Sequence, residues 1–263
     1  MIANIRQISQ QLLNPCFNSP KEVVSWMGAI QGQDYAMAKW AVGIRLKSPT
    51  LRAVEDALAR GEIIRTHVMR PTWHLVAAED IRWMLKLSAQ RIKSANDSFA
   101  KGHGVDISEA LFSRCNRLIE KLLEGNKSLT KQEIEAGLAN EGMTVDNRLM
   151  TRFMARAEVE GIVCSGVDKG KKATYALLEE RVPPVKELTK DEALATLALR
   201  YFRSHSPASL TDFVWWSGLS VTEARTAMGL IDSQLVKERF DSYELFVHES
   251  SYDIRKIDNA NDF

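Results

Sequence analysis

The sequence predicts a mainly α-helical α+β fold, with small β-hairpins, built from tandem winged-helix units. Three helix signals followed by a hairpin signal recur three times along the 263 residues. This is the order of a winged helix, a helix-turn-helix variant with a β-hairpin wing. Such repetition indicates a tandem array rather than a single enzyme fold. We predict units at residues 1–100, 101–182 and 183–263, the last one incomplete at its C-terminal end.

The first unit begins with a capping box at Ser19–Glu22, which places proline at the first helical position. Thr50 is expected to cap the third helix of this unit, which ends before Gly61. The next segment, EIIRTHVMRPTWHLV, is rich in β-branched and aromatic residues, and Pro71 separates its two short strands. The sequence AAEDIRWMLKLSAQRIKSANDSFAKG then predicts a long helix that bridges the first and second units.

The second and third units repeat this order. Residues 130–133 form another capping box, and Asp146 is placed to cap the helix NRLMTRFMARAEVEG. The segment IVCSGVDKGKKATYALL predicts a hairpin that turns at Asp168–Lys172. The linker ERVPPVKE follows, and a capping box at 189–192 opens three helices that end in the hairpin LVKERFDSYELFVHES.

Composition excludes several classes of protein. Hydrophobic residues make up 45% and charged residues 26%, which is typical of a globular chain and not of a disordered one. No stretch approaches 18 apolar residues, and the polar N-terminus does not match a signal peptide. The three cysteines are widely separated and match no zinc or disulfide framework. We therefore expect a cytoplasmic protein with no cofactor and no bound metal.

Charge is unevenly distributed, because residues 1–100 carry a net +5, residues 101–186 a net +1 and residues 187–263 a net −5. An anionic partner is thus expected to meet the first half of the chain. In a winged helix the third helix commonly enters a DNA groove and the wing contacts a flank. In the second unit these two elements supply six cations: Arg148, Arg152, Arg156, Lys169, Lys171 and Lys172. The alternative is a solvated basic face balanced by Glu158 and Glu160.

The first wing adds a further polar set, consisting of Arg65, His67, Arg70 and His74. Strand alternation is expected to bring several of them to one side, with the register left open by Pro71. In the third unit, Trp215 and Trp216 follow Phe213 in a short apolar helix. Packing in the core is the favoured interpretation of these aromatic residues, and stacking on bases is the alternative.

The segment Gln31-Gly32-Gln33-Asp34 follows the first capped helix, and its two carboxamides flank a glycine. From this pattern alone, a polar turn between two helices is the simpler interpretation. Asp34 is a candidate general base, but a cap on the next helix or an ion pair with an arginine is the stronger alternative.

Four longer blocks resemble those of the AlkZ-type (AlkZ/YcaQ-like) bacterial DNA glycosylases: WMGAIQGQDYAMAKWAVGIRL, RTHVMRPTWHLVAAEDIRWML, GKKATYALLEERVP and RYFRSHSPASLTDFVWWSGLSVTEAR. Together they spread over nearly the whole chain. The resemblance implies tandem winged helices that embrace double-stranded DNA. It also implies a monofunctional glycosylase that excises alkylated, N7-substituted purines or unhooks interstrand crosslinks. We expect such an enzyme to be monomeric, nucleoid-associated and independent of cofactors.

The same resemblance implies site residues. The family's Gln-x-Gln motif falls on Gln31 and Gln33, whereas the YcaQ-type branch has aspartate at the second position. Arg70, Thr72 and His74 match an Arg-x-Thr-x-His block, so Arg70 and His74 are expected to contact phosphate, with a core role for His74 as the alternative. Family members continue into an acidic, aromatic C-terminal block that these 263 residues do not contain. If that block closes the DNA channel, we expect impaired activity.

Two functions stay open from the sequence. The first is a DNA glycosylase, and the second is a non-catalytic winged-helix DNA-binding protein such as a transcriptional regulator. A regulator is usually a symmetric dimer that reads a palindrome, whereas three unequal units fit a monomeric clamp better. Tighter binding to an abasic-site analogue favours the enzyme, and sequence-specific binding to undamaged DNA favours the regulator.

Overall fold

A computed structural model describes residues 2–104, 106–240 and 243–251. The helices are α1 (Ile2–Ser9), α2 (Pro20–Met27), α3 (Tyr35–Gly43), α4 (Leu51–Ala59), α5 (Ile81–Gly102), α6 (Glu109–Leu123), α7 (Lys131–Asn140), α8 (Asn147–Val159), α9 (Leu178–Arg181), α10 (Lys190–His205), α11 (Leu210–Ser217) and α12 (Val221–Gly229). The strands are β1 (Ile30–Gln31), β2 (Ile63–His67), β3 (Trp73–Ala77), β4 (Leu129–Thr130), β5 (Val163–Ser165), β6 (Thr174–Leu177), β7 (Leu235–Phe240) and β8 (Tyr243–His248).

The predicted fold class is confirmed, because the chain is mostly helical and carries small antiparallel sheets. The hairpins β2–β3, β5–β6 and β7–β8 fall where the sequence predicts them, and β4 adds an edge strand to β6. Residues 101–182 contain the predicted three helices and hairpin, α6, α7, α8 and β5–β6, together with the short strand β4, which was not predicted. The winged-helix assignment and the three unit boundaries stay predictions. Residues 252–263, the predicted end of the third unit, lie outside the described residues.

Local sequence determines where the helices begin. The capping boxes at residues 19–22, 130–133 and 189–192 form as predicted, with the Ser or Thr side chain accepting from the third helical N–H. Two further boxes, which begin at Ser209 and Ser220, start α11 and α12. Asp146 caps α8 as predicted and accepts from the Leu149 N–H at 2.8 Å. Losing one such cap typically costs about 1 kcal/mol of stability.

The chain forms two compact units. Unit 1 comprises the described residues of Met1–Glu55 and Glu187–Phe263, and unit 2 comprises the described residues of Asp56–Lys186. Within the described part of the chain, no helix combines the length and the apolar character that crossing a membrane requires.

Unit 1 is organised around α10, whose side chains contact α1, α2, α12 and β8. Phe202 of α10 and Phe213 of α11 are fully buried, and their ring centroids lie 5.4 Å apart. Tyr201 packs on the same phenylalanine of α11 at 5.1 Å. Burying each of these rings contributes roughly 1.5–3 kcal/mol, so packing on α10 is the main source of order in this unit.

Unit 2 has its own core, in which α6, α7 and α8 pack against β5 and β6. Phe112 of α6 meets Phe153 of α8 edge to face at 5.7 Å. Gly137 of α7 permits the close approach to α6, because a Cβ there would lie 2.7 Å from Leu122 Cδ2. A side chain at that position would therefore require the Leu122 side chain to move. The long helix α5 packs along α8.

Candidate functional site

The loop Gln31–Asp34 lies in unit 1 between α2 and α3. Gln31 ends the short strand β1, and the side chains of Gln31 and Gln33 are both exposed. Gly32 between them is buried, so the loop turns its backbone inward and its carboxamides outward. The structure thus presents both predicted glutamines at the surface of the same short loop.

The start of this loop is held by close packing at Gly28. Gly28 ends α2 with φ of +77°, and a Cβ there would approach the ring of Trp216 to 3.3 Å. Trp216 in turn packs on Tyr201 at 5.0 Å and on His205 at 5.6 Å. Burial lowers the pKa of His205 to about 4, so this aromatic cluster is uncharged at neutral pH. This uncharged and closely packed aromatic cluster restricts the backbone path by which the chain leaves α2 and enters the loop.

A second set of contacts fixes the end of α2. The Arg203 guanidinium donates to the Ser25 carbonyl at 3.0 Å and lies 4.8 Å from the centroid of the Trp26 ring. The indole N–H of Trp26 donates to the Ser9 carbonyl at 2.7 Å. The last turn of α2 is therefore anchored both through its backbone and through a side chain.

The far end of the loop is fixed by Asp34. Its Oδ1 atom accepts from the Met37 N–H at 3.1 Å, so Asp34 is the N-cap of α3. This is the capping role that the sequence analysis favoured over a general base. One carboxylate oxygen is thereby committed to the helix, which leaves the two glutamines as the main candidates in this loop for handling a water molecule.

The β2–β3 hairpin of unit 2 sorts its polar side chains onto two faces. His67 pairs with Trp73 and Thr66 pairs with His74, and the antiparallel register is continuous across the hairpin. Because side chains alternate along a strand, Arg65, His67 and Trp73 share one face. His74 lies on the other face, so the expected grouping on one side holds for Arg65 and His67 only.

The loop between these strands carries Arg70 and Thr72. Met69 has φ of +63°, and the backbone turns tightly, because the Arg70 N–H donates to the Val68 carbonyl at 2.7 Å. Arg70 is half-buried. Its Nε atom and the Thr72 Oγ1 atom are buried without a hydrogen-bond partner among the described residues. This loop therefore combines two buried polar atoms that the described residues leave unsatisfied with an arginine that is still partly exposed.

His74 lies in the interior, where its residue is 2% exposed. Burial, together with the nearby Arg70 and His67, lowers its pKa to about 4, and its Nδ1 atom lies 3.0 Å from the Thr72 carbonyl. The ring is therefore neutral at pH 7 and donates to the loop backbone. A buried, neutral imidazole does not balance a phosphate charge, so this position supports the core alternative for His74 over the expected phosphate contact.

The face of Arg65, His67 and Trp73 covers a buried carboxylate. Glu158 of α8 has a side chain that is 2% exposed, and it hydrogen-bonds to His67 Nδ1. The indole N–H of Trp73 lies 3.3 Å from both carboxylate oxygens. The Arg65 guanidinium lies over the Trp73 ring at 4.3 Å, so this predicted DNA contact is also part of the packing. The backbone N–H of Arg65 donates to Ser165 Oγ of β5 at 2.9 Å, which joins the two hairpins of unit 2.

The predicted recognition helix α8 is exposed only in its first half. Arg148 is exposed in the first turn. Arg152, one turn later, is half-buried, and its guanidinium lies 5.8 Å from the centroid of the Phe99 ring of α5. These two residues remain candidates for contact with DNA.

Arg156 belongs to the interior instead. Its side chain is 4% exposed and pairs with Glu109, with Glu160 at 3.4 Å and with Asp97 at 3.8 Å. Its guanidinium also lies 4.2 Å from the centroid of the Phe112 ring. Arg148, Arg152 and Arg156 are each four residues apart, a spacing that predicts one basic helix face. That face is interrupted in the structure, because Arg156 contacts acidic residues of α5 and α6 and the end of α8.

The wing β5–β6 turns at the predicted lysines. Lys169 and Lys172 exchange backbone hydrogen bonds across the turn, at 2.9 and 3.1 Å, and Gly170 takes φ of +63° between them. The Nζ atom of Lys169 lies 2.7 Å from Glu133 of α7. That contact and hydrogen bonds from Thr130 lower the pKa of Glu133 to about 2. Lys171 and Lys172 are exposed at the tip.

The comparisons with known proteins now decide the family. The family profile described as DNA glycosylase AlkZ-like matches residues 24–261. This chain belongs to the AlkZ-like family of DNA glycosylases. The resemblance inferred from the sequence is confirmed, and the match includes both the Gln31–Asp34 loop of unit 1 and the whole of unit 2.

Two AlkZ-like relatives come from Streptomyces sahachiroi. An interstrand DNA cross-link repair glycosylase is 23% identical over 252 residues, covering 92% of this chain and 67% of the relative. The solved structure of the DNA glycosylase AlkZ aligns with a TM-score of 0.74 at 21% identity, covering 95% of this chain and 71% of that one. The structural likeness supports the AlkZ-like fold of the present chain.

Two features of this AlkZ-like chain were not singled out by sequence reasoning. Glu158 was grouped with a solvated face, yet its carboxylate is buried and hydrogen-bonded. Trp40 and Met37 lie on α3, directly after the candidate loop, and are 57% and 55% exposed. For Glu158, the sequence signal was an acidic residue placed between apolar residues near the end of α8.

Trp215 is 75% exposed while Phe213 is buried, so the expected core packing is wrong for Trp215.

Proposed function

We propose that this AlkZ-like chain hydrolyses the N-glycosidic bond of alkylated, N7-substituted purines in double-stranded DNA, and that it unhooks crosslinks formed through N7. Membership of a DNA glycosylase family supports the reaction class. The relative named as an interstrand cross-link repair glycosylase supports the lesion class. The observation that carries the proposal is the Gln31–Asp34 loop, which is anchored at both ends and presents Gln31 and Gln33 outward.

The chemistry does not need a strong base. Alkylation at N7 leaves a cationic purine, which is already a good leaving group, so the bond breaks through an oxocarbenium-like state. The enzyme must supply a positioned water and a dipole that faces the developing positive charge. A carboxamide oxygen accepts a hydrogen bond from water while its amide group donates to a neighbour. In this proposal Gln33 orients the attacking water. Gln31 supports either that water or the sugar.

Unit 2 supplies the DNA-binding surface in this proposal. The exposed tip of the wing carries Lys171 and Lys172, and Lys169 begins the same turn. Arg148 and Arg152 extend the surface along the first half of α8, and Arg70 adds the hairpin loop. We include Arg65 through the guanidinium that stacks on Trp73. The protein acts in this scheme as a monomer without a cofactor.

The test is a single-turnover assay on duplex DNA that contains one N7-methylguanine, followed by alkali to cleave abasic sites. We expect wild type to cut, and Gln33→Ala to lose a factor on the order of 10²–10⁴ in rate with DNA binding retained, as for a positioned group in proton transfer. Gln7→Ala is the matched control, because Gln7 is also an exposed glutamine of unit 1. Equal rates for Gln33→Ala and wild type would contradict the assignment.

A binding assay separates the enzyme from a regulator. We expect tighter binding to duplex DNA with an abasic-site analogue than to undamaged duplex, because a glycosylase binds its product-like site. Sequence-specific binding to undamaged DNA, with no cleavage of any N7-alkylated duplex, would instead identify the chain as a non-catalytic DNA-binding protein.

A further inference from the structure

We propose that Glu158 is a positioning residue that clamps the β2–β3 hairpin onto α8 and thereby holds the Arg70 loop in place for DNA. The proposal rests on the DNA-binding role of that loop given above. Glu158 is the acceptor at which three elements meet, because His67 ends β2, Trp73 begins β3 and Glu158 belongs to α8.

The clamp acts at the two ends of the loop. His67 and Trp73 are directly opposed in the antiparallel register, and residues 68–72 connect them. Both donors reach the same carboxylate, His67 through Nδ1 and Trp73 through its indole N–H at 3.3 Å. The rings also contact each other, with centroids 4.7 Å apart. One side chain of α8 therefore fixes both positions from which the loop departs.

A buried carboxylate is energetically unfavourable when its contacts are purely structural. Moving a charge into the interior costs several kcal/mol, and well-packed apolar residues of similar volume often stabilise a protein more. Glu158 is nevertheless 2% exposed, and burial, with a smaller contribution from Glu158, raises the pKa of Tyr175 nearby. The carboxyl group of Glu158 meets His67 Nδ1 and the indole N–H of Trp73 from defined directions, and such directional contacts fix orientation better than apolar packing does. Orientation of the hairpin is thus what this carboxylate provides.

Hydrogen bonds from the Arg70 N–H to the Val68 carbonyl and from the Thr72 N–H to the Arg70 carbonyl shape the turn of the loop, and the contacts of Glu158 hold that turn against α8. Arg70 Nε and Thr72 Oγ1 are buried without a hydrogen-bond partner among the described residues, and Thr66 Oγ1 behind them is in the same state. The half-buried Arg70 is the cation of this loop that would meet a phosphate, and a phosphate contact requires the loop to stay in register with the DNA backbone. Loss of the clamp should therefore remove the contact of Arg70 while leaving the wing lysines engaged.

Salt dependence of DNA binding gives a specific test. One phosphate contact contributes about 0.9 to the slope of log affinity against log salt concentration. We expect Arg70→Gln and Glu158→Gln each to reduce the slope by about 0.9, and the double variant to reduce it no further. Glu179→Gln is the matched control, because Glu179 is an exposed carboxylate of unit 2 that pairs with Arg82. A residue that serves stability alone would lower the melting temperature and leave the slope unchanged.

A measurement without DNA tests the clamp independently. We expect Glu158→Gln to speed amide hydrogen exchange of residues 65–67 and 73–75 by about 10- to 100-fold, the factor that loss of a hydrogen bond to a charged group produces. Amides of α10 in unit 1 serve as the internal reference and should not change. Exchange at wild-type rates in the hairpin would overturn the proposal.

A milder variant covers the case in which Glu158→Gln does not fold. Trp73→Phe removes the indole donor and keeps a ring against His67, so it should reproduce part of the change in salt slope and part of the faster amide exchange.

If Arg70→Gln leaves the salt slope unchanged while Glu158→Gln loosens the hairpin, the DNA-binding role of the loop is wrong and the clamp stands. If the slope falls for Arg70→Gln but the hairpin stays protected and the slope stays normal in Glu158→Gln, the clamp is wrong.

Discussion

Unit 1 and unit 2 present different chemistry. Unit 1 carries 14 Lys and Arg against 16 Asp and Glu, and its candidate loop contributes two uncharged carboxamides. Unit 2 carries 21 Lys and Arg against 18 Asp and Glu, and every predicted DNA-binding residue belongs to it. In the proposed function, reaction chemistry and electrostatic attraction therefore belong to different units of the chain. Variants in the two units should consequently change different measured quantities.

The comparison of the two units also shows that a count of cations in the sequence overestimates how many are accessible to DNA. Arg156 is buried among carboxylates, and His74 is neutral in the interior. Lys169 contacts Glu133 at the edge of the wing. Of the unit 2 cations predicted from the sequence to contact DNA, the exposed ones are therefore limited to Arg148, Lys169, Lys171 and Lys172.

The largest expected effect tests this division directly. Gln33→Ala should lower the saturating single-turnover rate on the order of 10²–10⁴-fold and leave the salt slope of binding unchanged. The double variant Lys171→Gln/Lys172→Gln should flatten that slope by about 1.8 and leave the saturating rate unchanged. Both quantities are measured on the same N7-methylguanine duplex. A lower saturating rate in the lysine variant would break the comparison.

Acid stability compares the buried histidines of the two units. Burial lowers the pKa of His205 in unit 1 and of His74 in unit 2 to about 4, from an ordinary 6.5. The unfolded chain therefore takes up protons near pH 6.5 that the folded chain accepts only near pH 4. The stabilisation is fully present above pH 6.5 and is lost as the pH falls towards 4, by about 3 kcal/mol for each ring.

Urea denaturation between pH 7.5 and pH 4 measures this loss. We expect His74→Gln and His205→Gln each to flatten the pH dependence of the unfolding free energy, since glutamine does not titrate. The two variants should flatten it by similar amounts. A variant that keeps the full wild-type pH dependence would show that its histidine is protonated equally in the folded and unfolded chain.

The next largest expected effect distinguishes two arginines of α8 by their influence on stability and on the salt slope of DNA binding. Arg156→Gln should lower the unfolding free energy by about 1–3 kcal/mol, because Arg156 is buried among its partners, and should leave the salt slope of DNA binding unchanged. Arg148→Gln, on the exposed first turn of α8, should change stability by less than about 0.5 kcal/mol and reduce the slope by about 0.9. If the two substitutions had the same effect on the slope, α8 would carry one continuous basic face.

Local signals account for most of what the sequence predicted correctly. The capping boxes at 19–22, 130–133 and 189–192, and the hairpins β2–β3 and β5–β6, depend on neighbouring residues, so they can be read from the chain. The Asp34 cap is local in the same way. The two glutamines do lie between α2 and α3 as predicted, but Gln31 ends the short strand β1, which the expected polar turn did not include.

What the sequence could not provide are contacts between elements that are distant along the chain. The spacing of Arg148, Arg152 and Arg156 gives one helix face, but α5 and α6 determine which part of that face is covered. Glu158 lies 91 residues from His67, so no local pattern could reveal that their side chains meet. Burial is a property of the packed unit, and it decides which charged groups remain available to a ligand.

The smallest effect concerns Lys169, which is held by a carboxylate in the free protein. Glu133→Gln preserves a capping box, since glutamine replaces glutamate at that position, and it releases the lysine. We expect duplex DNA to bind about two- to fivefold more tightly, the range that an exposed ion pair represents. Lys169→Gln should raise the pKa of Glu133 from about 2 towards its ordinary value of 4.5, measured by NMR titration of its carboxyl carbon. Unchanged DNA affinity in Glu133→Gln would mean that Lys169 does not contact DNA even without its carboxylate partner. Lys171 and Lys172 would then make the contacts of the wing.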